Sequence, residues 1–305
     1  MTRALRANLL LLLTAAIWGF AFVAQRLGAL SVGSFTLNAV RFMMGAAVLI
    51  PILMLQQGSL ITTVRNQLTS ATLRWGVMAT GVVLFGAAAL QQSGLESTTA
   101  GKAGFITGLY VVLVPLLSAA RSRLFLAGSG ENLTWRAGLS VLLAAAGLYL
   151  LSVNESMRMA QGDLLVFGGA FLWAMHVQLV GWLSRRMDPL ILSTLQFLVC
   201  SALSGIAALL FDAAPFSGLG MVLIPILYAG FLSVGVAYSL QAVAQRDADP
   251  TPAALVMSLE AVFAALGGWM ILGEGLSPRN VLGCGLMLTG MVLAQLPKGR
   301  LHRAA

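Results

Sequence analysis

Glu260 is the residue to begin with. Of the ten acids in this 305-residue chain, nine lie in or beside polar connecting segments and Glu260 alone sits near the middle of an apolar run. A carboxylate there is costly, and such a position is by default functional. It can bind an ammonium group, carry a proton or pair with an interior cation. Two cations lie within apolar runs. Arg41 falls one to two turns into one run and could receive a carboxylate through its planar fork. Lys102 falls in the first turn of another. Each could instead snorkel towards a polar boundary, and Arg41 could tie down backbone carbonyls. His176 is the single histidine in an apolar run, either a proton relay or a hydrogen-bonded interior group.

Uncharged polar and aromatic residues share faces with these groups at helical spacing. Thr14, Trp18, Ala21 and Gln25 follow one another by four, three and four residues, as one helical face requires. Gly169, Trp173, His176 and Val180 form a second such face. Gln91 and Gln92 end one run, and Tyr238 and Gln241 share a face of another. Polar amides facing lipid are unfavourable, so these side chains should point inwards. The candidate binding or cavity-lining residues are therefore Trp18, Gln25, Gln91, Tyr110, Trp173, His176, Tyr238, Gln241 and Glu260, with Arg41 and Lys102 as charge partners. Plain packing and helix-to-helix hydrogen bonding are the alternative uses of the same residue types.

Composition dictates the elements that carry these groups. The chain is 59% hydrophobic and 9% charged, with a mean hydropathy of +0.91. Soluble domains carry about 25% charged residues. A soluble fold, a disordered chain and, with two cysteines only, a disulfide scaffold are all excluded. A bilayer core of about 30 Å takes roughly 20 apolar residues per helix. Ten such spans are predicted: Ala7–Gln25, Phe35–Leu55, Leu73–Gln92, Thr99–Ala120, Thr134–Val153, Asp163–Leu183, Leu190–Phe211, Leu219–Val243, Pro252–Leu272 and Arg279–Leu296. None alternates with period two, which excludes a β-barrel. The first run is too long for a signal peptide and is taken as a retained helix. Pro115 and Pro225 are candidate kinks, and Gly104 and Gly108 suit close helix contact.

Charge sets the expected sidedness. With the N-terminus inside, thirteen of the 18 Lys and Arg residues fall on the cytoplasmic side, as the positive-inside rule demands. Both termini are then cytoplasmic. The cations form no stripe with interleaved aromatics, so nucleic acid is not an expected partner.

The two halves of the chain repeat one another. Ile17-Trp18-Gly19 matches Leu172-Trp173-Ala174, and Arg41-Phe42 matches Gln196-Phe197, at an offset of 155. Leu90-Gln91 matches Leu240-Gln241, and Leu109-Tyr110 aligns with Leu259-Glu260, at 150. Gly130-Glu131-Asn132-Leu133-Thr134-Trp135-Arg136 matches Gly273-Glu274-Gly275-Leu276-Ser277-Pro278-Arg279 at 143. Residues 1–153 and 154–305 thus each hold five spans. Five is odd, so the second unit enters the membrane inverted, an arrangement typical of secondary carriers.

The paired Gly-Glu-x-Leu-[Ser/Thr]-x-Arg segments, Arg41-Phe42, Pro115 and the five-plus-five plan resemble the EamA family of the drug/metabolite transporter superfamily. The second half departs from the first where Gln196 stands for Arg41 and Ala265 for Pro115. The resemblance implies an all-α integral membrane fold, with ten helices in two inverted five-helix repeats around a central cavity. It also implies alternating access, and export of small metabolites across a bacterial-type inner membrane. Amino acids, including aromatic ones, are the expected cargo. A multidrug or amphipathic-compound exporter is the alternative, and an intramembrane enzyme a distant one. No Gly-x-Ser-x-Gly, His-Glu-x-x-His or P-loop is present, so neither catalysis nor direct use of ATP is expected. Two histidines are too few for a usual metal site, and no metal or cofactor is expected. The expected partners are a small-molecule substrate and the lipid bilayer, with monomer and homodimer both open.

Overall fold

A computed structural model describes residues 2–57, 60–124, 135–152, 161–275 and 277–295. Those residues are helical or in short turns, and no strand is found among them. In lipid each backbone polar group must be satisfied within its own segment, which this apolar chain achieves by helix formation. Short polar residues start several helices. Thr2 Oγ1 accepts the Leu5 amide at 3.3 Å, and Asp188 Oδ1 accepts the Leu190 and Ile191 amides at 2.9 and 3.2 Å.

The first three crossings are α1 (Arg3–Ala29), α2 (Ser34–Gln57) and α4 (Ala71–Gly94), with the short α3 (Leu60–Gln67) between the last two. Helix α3 was not expected, because eight amphipathic residues do not register as a span. The fourth crossing is split into α5 (Ala100–Thr107) and α6 (Tyr110–Leu124). Then follow α7 (Trp135–Ser152), α8 (Gln161–Leu183) and α9 (Pro189–Phe211). The eighth crossing, Leu219–Gln245, contains α10 (Leu223–Leu227), a π-helical stretch Tyr228–Tyr238 and α11 (Ser239–Gln245). The ninth is split into α12 (Pro250–Met257) and α13 (Glu260–Leu272), and α14 (Pro278–Gln295) is the tenth. Eight crossings are long and apolar enough to span a bilayer on those grounds alone. The other two, α7 and α14, have 18 residues each and pack on one another.

The packing pairs exchange when the halves are exchanged. Helix α2 packs on α9, α7 on α14, α5 on α13 and α6 on α12. The α4–α8 pair is mirrored by α1 against the eighth crossing. The segment between the halves, 153–160, and the Gly130–Arg136 motif up to residue 134 lie outside the described residues.

The two split crossings break at equivalent places, Gly108-Leu109 and Ser258-Leu259. Each break is bridged by tighter hydrogen bonds. The Leu109 amide reaches Ile106 O at 3.2 Å, and the Leu259 amide reaches Val256 O at 3.2 Å. Pro115, an expected kink, lies uninterrupted inside α6. Gly104 meets its expected use, since a Cβ there would lie 2.5 Å from Ala264 Cβ of α13. Gly108 instead serves the break.

One face of the bundle carries the N-terminus and the 183–189 and 245–250 turns. The other, here the distal face, carries the 94–100 and 211–219 turns and residues 272–275. Polar contacts close the distal turns. Glu274 accepts the Ala100 and Gly101 amides at 2.8 and 3.0 Å, and Arg26 Nη1 donates to Leu95 O at 2.6 Å. Large apolar side chains such as Leu209, Ile224 and Met270 face outwards, where the lipid lies.

Candidate functional site

The break at Ser258-Leu259 positions Glu260. Its side chain is 3% exposed and lies on the first turn of α13, not mid-helix as the unbroken span suggested. Helix α1 presses close beside it: a Cβ on Gly19 would lie 2.2 Å from Phe263 Cβ and 2.7 Å from Glu260 O. The same kind of break starts α6 at Tyr110. Both side chains enter one cavity between the halves.

Trp18, Gln25, Gln91, Tyr110, Trp173, His176, Tyr238, Gln241 and Glu260 all line that cavity. So does Arg41, which is 2% exposed. Lys102 does not. The expectation that it could meet a cargo carboxylate is corrected: its Nζ lies 3.6 Å from Asp163 Oδ2, near the distal turns. Asp163 at the start of α8 also accepts the Thr98 hydroxyl. The reason is positional, since Lys102 sits on the opposite side of α5 from the cavity-lining Thr107.

Aromatic rings form one wall. Tyr238 is their hub, with ring centroids 4.6 Å from Trp18, 5.8 Å from Phe197, 6.0 Å from Phe42, 6.0 Å from His176 and 6.1 Å from Trp173. His176 Nε2 meets Gln196 Oε1 at 2.8 Å. Gln196 was not a predicted site residue, although it is the repeat counterpart of Arg41 and so carried a signal. Phe22, Thr107, Val177 and Ser233 also line the cavity and carried none.

The distal half of the cavity is closed by a polar network. Gln91 Nε2 donates to Gln25 Oε1 at 3.0 Å, and Gln92 Nε2 donates to Gln25 O at 3.1 Å. Trp173 Nε1 donates to Gln91 Oε1 at 2.8 Å, and Thr107 Oγ1 approaches the same oxygen at 3.5 Å. Other buried lining atoms have no hydrogen-bond partner among the described residues. They are Arg41 Nε and Nη2, His176 Nδ1 and both amide atoms of Gln241. Such buried orphans call for an explanation, because native side chains rarely leave them. Donors and acceptors of both charge signs converge on one cavity.

A family model, the EamA-like transporter family, matches residues 5–153 and again 160–296. The chain belongs to the EamA-like transporter family. Its two matched segments are the two repeated halves of that fold. An uncharacterized transporter of Archaeoglobus fulgidus is 30% identical over 96% of this chain and 86% of that protein. The uncharacterized transporter YyaM of Bacillus subtilis is 31% identical over 59% of this chain and 56% of its own length. A WAT1-related chloroplastic protein of Arabidopsis thaliana is 26% identical over 68% and 51%. A crystal structure superposes with a TM-score of 0.76 at 23% identity, covering 97% of this chain and 99% of that one, a likeness of fold. The cavity is lined from both matched segments of this EamA-like transporter. Among the described residues no cluster of three metal-ligating side chains occurs.

Proposed function

We propose that this transporter carries small zwitterionic metabolites, amino acids foremost, outwards across a bacterial-type inner membrane by alternating access. The observation that carries the reading is the pairing of Arg41 and Glu260 around one cavity. An unpaired ion in a low-dielectric interior costs several kcal/mol. A zwitterion offsets both costs at once, its carboxylate meeting Arg41 and its ammonium meeting Glu260. The aromatic wall around Tyr238 suits an apolar side chain. The absence of a nucleotide-binding motif in the sequence leaves ion or solute gradients as the driving force. The positive-inside bias supports cytoplasmic termini.

Counterflow in proteoliposomes across an amino-acid panel tests this. A zwitterionic amino acid should exchange. Its deaminated acid and its decarboxylated amine should each compete at least about tenfold more weakly, the loss expected when one charge-assisted contact goes. The aromatic wall favours one second reading, an exporter of amphipathic compounds. It prevails if the decarboxylated amine and unrelated aromatic cations compete as well as the amino acid.

A further inference from the structure

Trp173 and Gln91 have repeat counterparts at the same offsets that relate the halves, Trp18 and Gln241. Each pair joins the same type of helix contact, α8 to α4 in one case and α1 to the eighth crossing in the other. Yet the two pairs are bonded differently. Trp173 Nε1 donates to the Gln91 side chain at 2.8 Å. Trp18 Nε1 donates instead to the backbone carbonyl of Ser233 at 3.1 Å, within the π-helical stretch. Gln241 lines the same cavity as Trp18, is buried, and has neither amide atom bonded to protein. Gln91 lies near the distal end of α4, whereas Gln241 lies near the N-terminal face.

We infer that the Trp173–Gln91 bond is the distal gate latch and that Trp18–Gln241 is its counterpart, formed when the carrier opens to the distal side. The inference rests on alternating access in the proposed function, but not on the identity of the cargo. Its physical basis is an exchange of equals. Inverted halves swap conformations in such carriers, so a bond made in one half is expected in the other half of the opposite state. A buried amide left unbonded is unfavourable. In the present arrangement Gln91 is satisfied and Gln241 is not. In the exchanged arrangement Gln241 accepts the Trp18 indole and Gln91 loses that of Trp173. One indole–amide bond is exchanged for the other, as a two-state element needs. The π-helical carbonyl of Ser233 serves as the parking acceptor for Trp18. The latches are not equally strong. Gln25 and Thr107 reinforce the distal one, but their counterparts are Val180 and Met257, which cannot. The distal-closed state is therefore the more populated at rest.

Thiol labelling at one cavity position tests the exchange. Ser233→Cys, in a chain with Cys200 and Cys284 replaced by alanine, is exposed to a membrane-impermeant thiosulfonate applied to the distal face of sealed vesicles. Cleavage of an N-terminal tag sets the sidedness. Gln91→Leu should raise distal labelling and Gln241→Leu should lower it, each about threefold, the effect of one hydrogen bond within a membrane. Trp18→Phe takes one bond from each state, so by itself it should change labelling little, and Gln241→Leu should have no effect in the Trp18→Phe background. Trp173→Phe stands in if Gln91→Leu fails to fold, since it removes the same bond. Shifts of the two glutamine variants in the same direction, no shift in either, or an effect of Gln241→Leu that persists in the Trp18→Phe background overturn the proposal. The assay contains no cargo. Opposite shifts without amino-acid counterflow would keep the gates and remove the substrate reading, and counterflow with unshifted labelling would do the reverse.

Discussion

Tyr110 and Glu260 occupy the same place in the two halves, each the first residue after the break in a split crossing, and both line one cavity. The equivalence brings a phenol and a carboxylate towards each other from opposite halves. A position that the fold uses twice therefore carries two different chemistries, and the acid is the only one that can bear charge against a cargo ammonium.

Glu260→Gln keeps the volume and removes the charge. Binding of an amine-bearing cargo should fall at least about tenfold at every pH from about 5 to 8, since one charge-assisted hydrogen bond is lost. Exchange measurements in proteoliposomes across that range decide the role. Retained exchange with lost pH dependence would assign the group to proton movement instead. Transport like the parent's at all pH values would remove Glu260 from the mechanism.

Arg41→Met should weaken cargo carrying a carboxylate while leaving the protein as stable as the parent, or more stable by about 1–4 kcal/mol. Arg41 stacks over the Phe42 ring at 4.9 Å but has no carboxylate partner among the described residues, and an apolar side chain of similar length replaces it there. Isothermal binding and thermal melting in detergent read the two effects separately. A large loss of melting temperature would show that Arg41 holds the fold.

Lys102→Met should leave cargo affinity unchanged, because Lys102 lies outside the cavity. Its effect should fall on stability, a loss of about 0.5–1.5 kcal/mol as the Lys102–Asp163 contact goes while Asp163 keeps the Thr98 hydroxyl. A lowered affinity with unchanged melting temperature would contradict the placement.

Gly19→Ala forces a Cβ against Phe263 and the Glu260 carbonyl and should cost about 1–3 kcal/mol. Gly205→Ala has open space and should be neutral or stabilising by up to about 1 kcal/mol. Melting temperatures of the two variants, measured side by side, check the close approach of α1 and α13.

Single cysteines report the sidedness, in the same cysteine-free background. Gln56→Cys and Asp249→Cys on the N-terminal face should resist an impermeant reagent applied outside intact cells, and Ser217→Cys on the distal face should react. The reverse pattern would invert the proposed orientation.

Much of this architecture was legible in the residues themselves. Apolar length fixes the crossings, because a bilayer admits few ways to satisfy a backbone. The offsets of 155 and 150 reveal the repeat, because duplicated helices keep their spacing and tolerate indels only in their connections. The inward faces of Trp18, Trp173, Gln91 and Gln241 follow from the cost of polar groups in lipid. The tertiary structure decided what pattern alone could not. Lys102 and Arg41 are both cations near helix ends in the sequence. Only the rotation of α5 against α8 hands one to Asp163, while the burial of α2 leaves the other in the cavity. The breaks at Gly108 and Ser258 depend on two crossings packing against each other, so no local signal marks them more strongly than Pro115, where the helix continues. Gln196 and the Ser233 carbonyl joined the site through long-range contacts. Which tryptophan reaches a glutamine and which a backbone oxygen is decided by the packing of one conformational state, and a symmetric repeat in sequence is compatible with either choice.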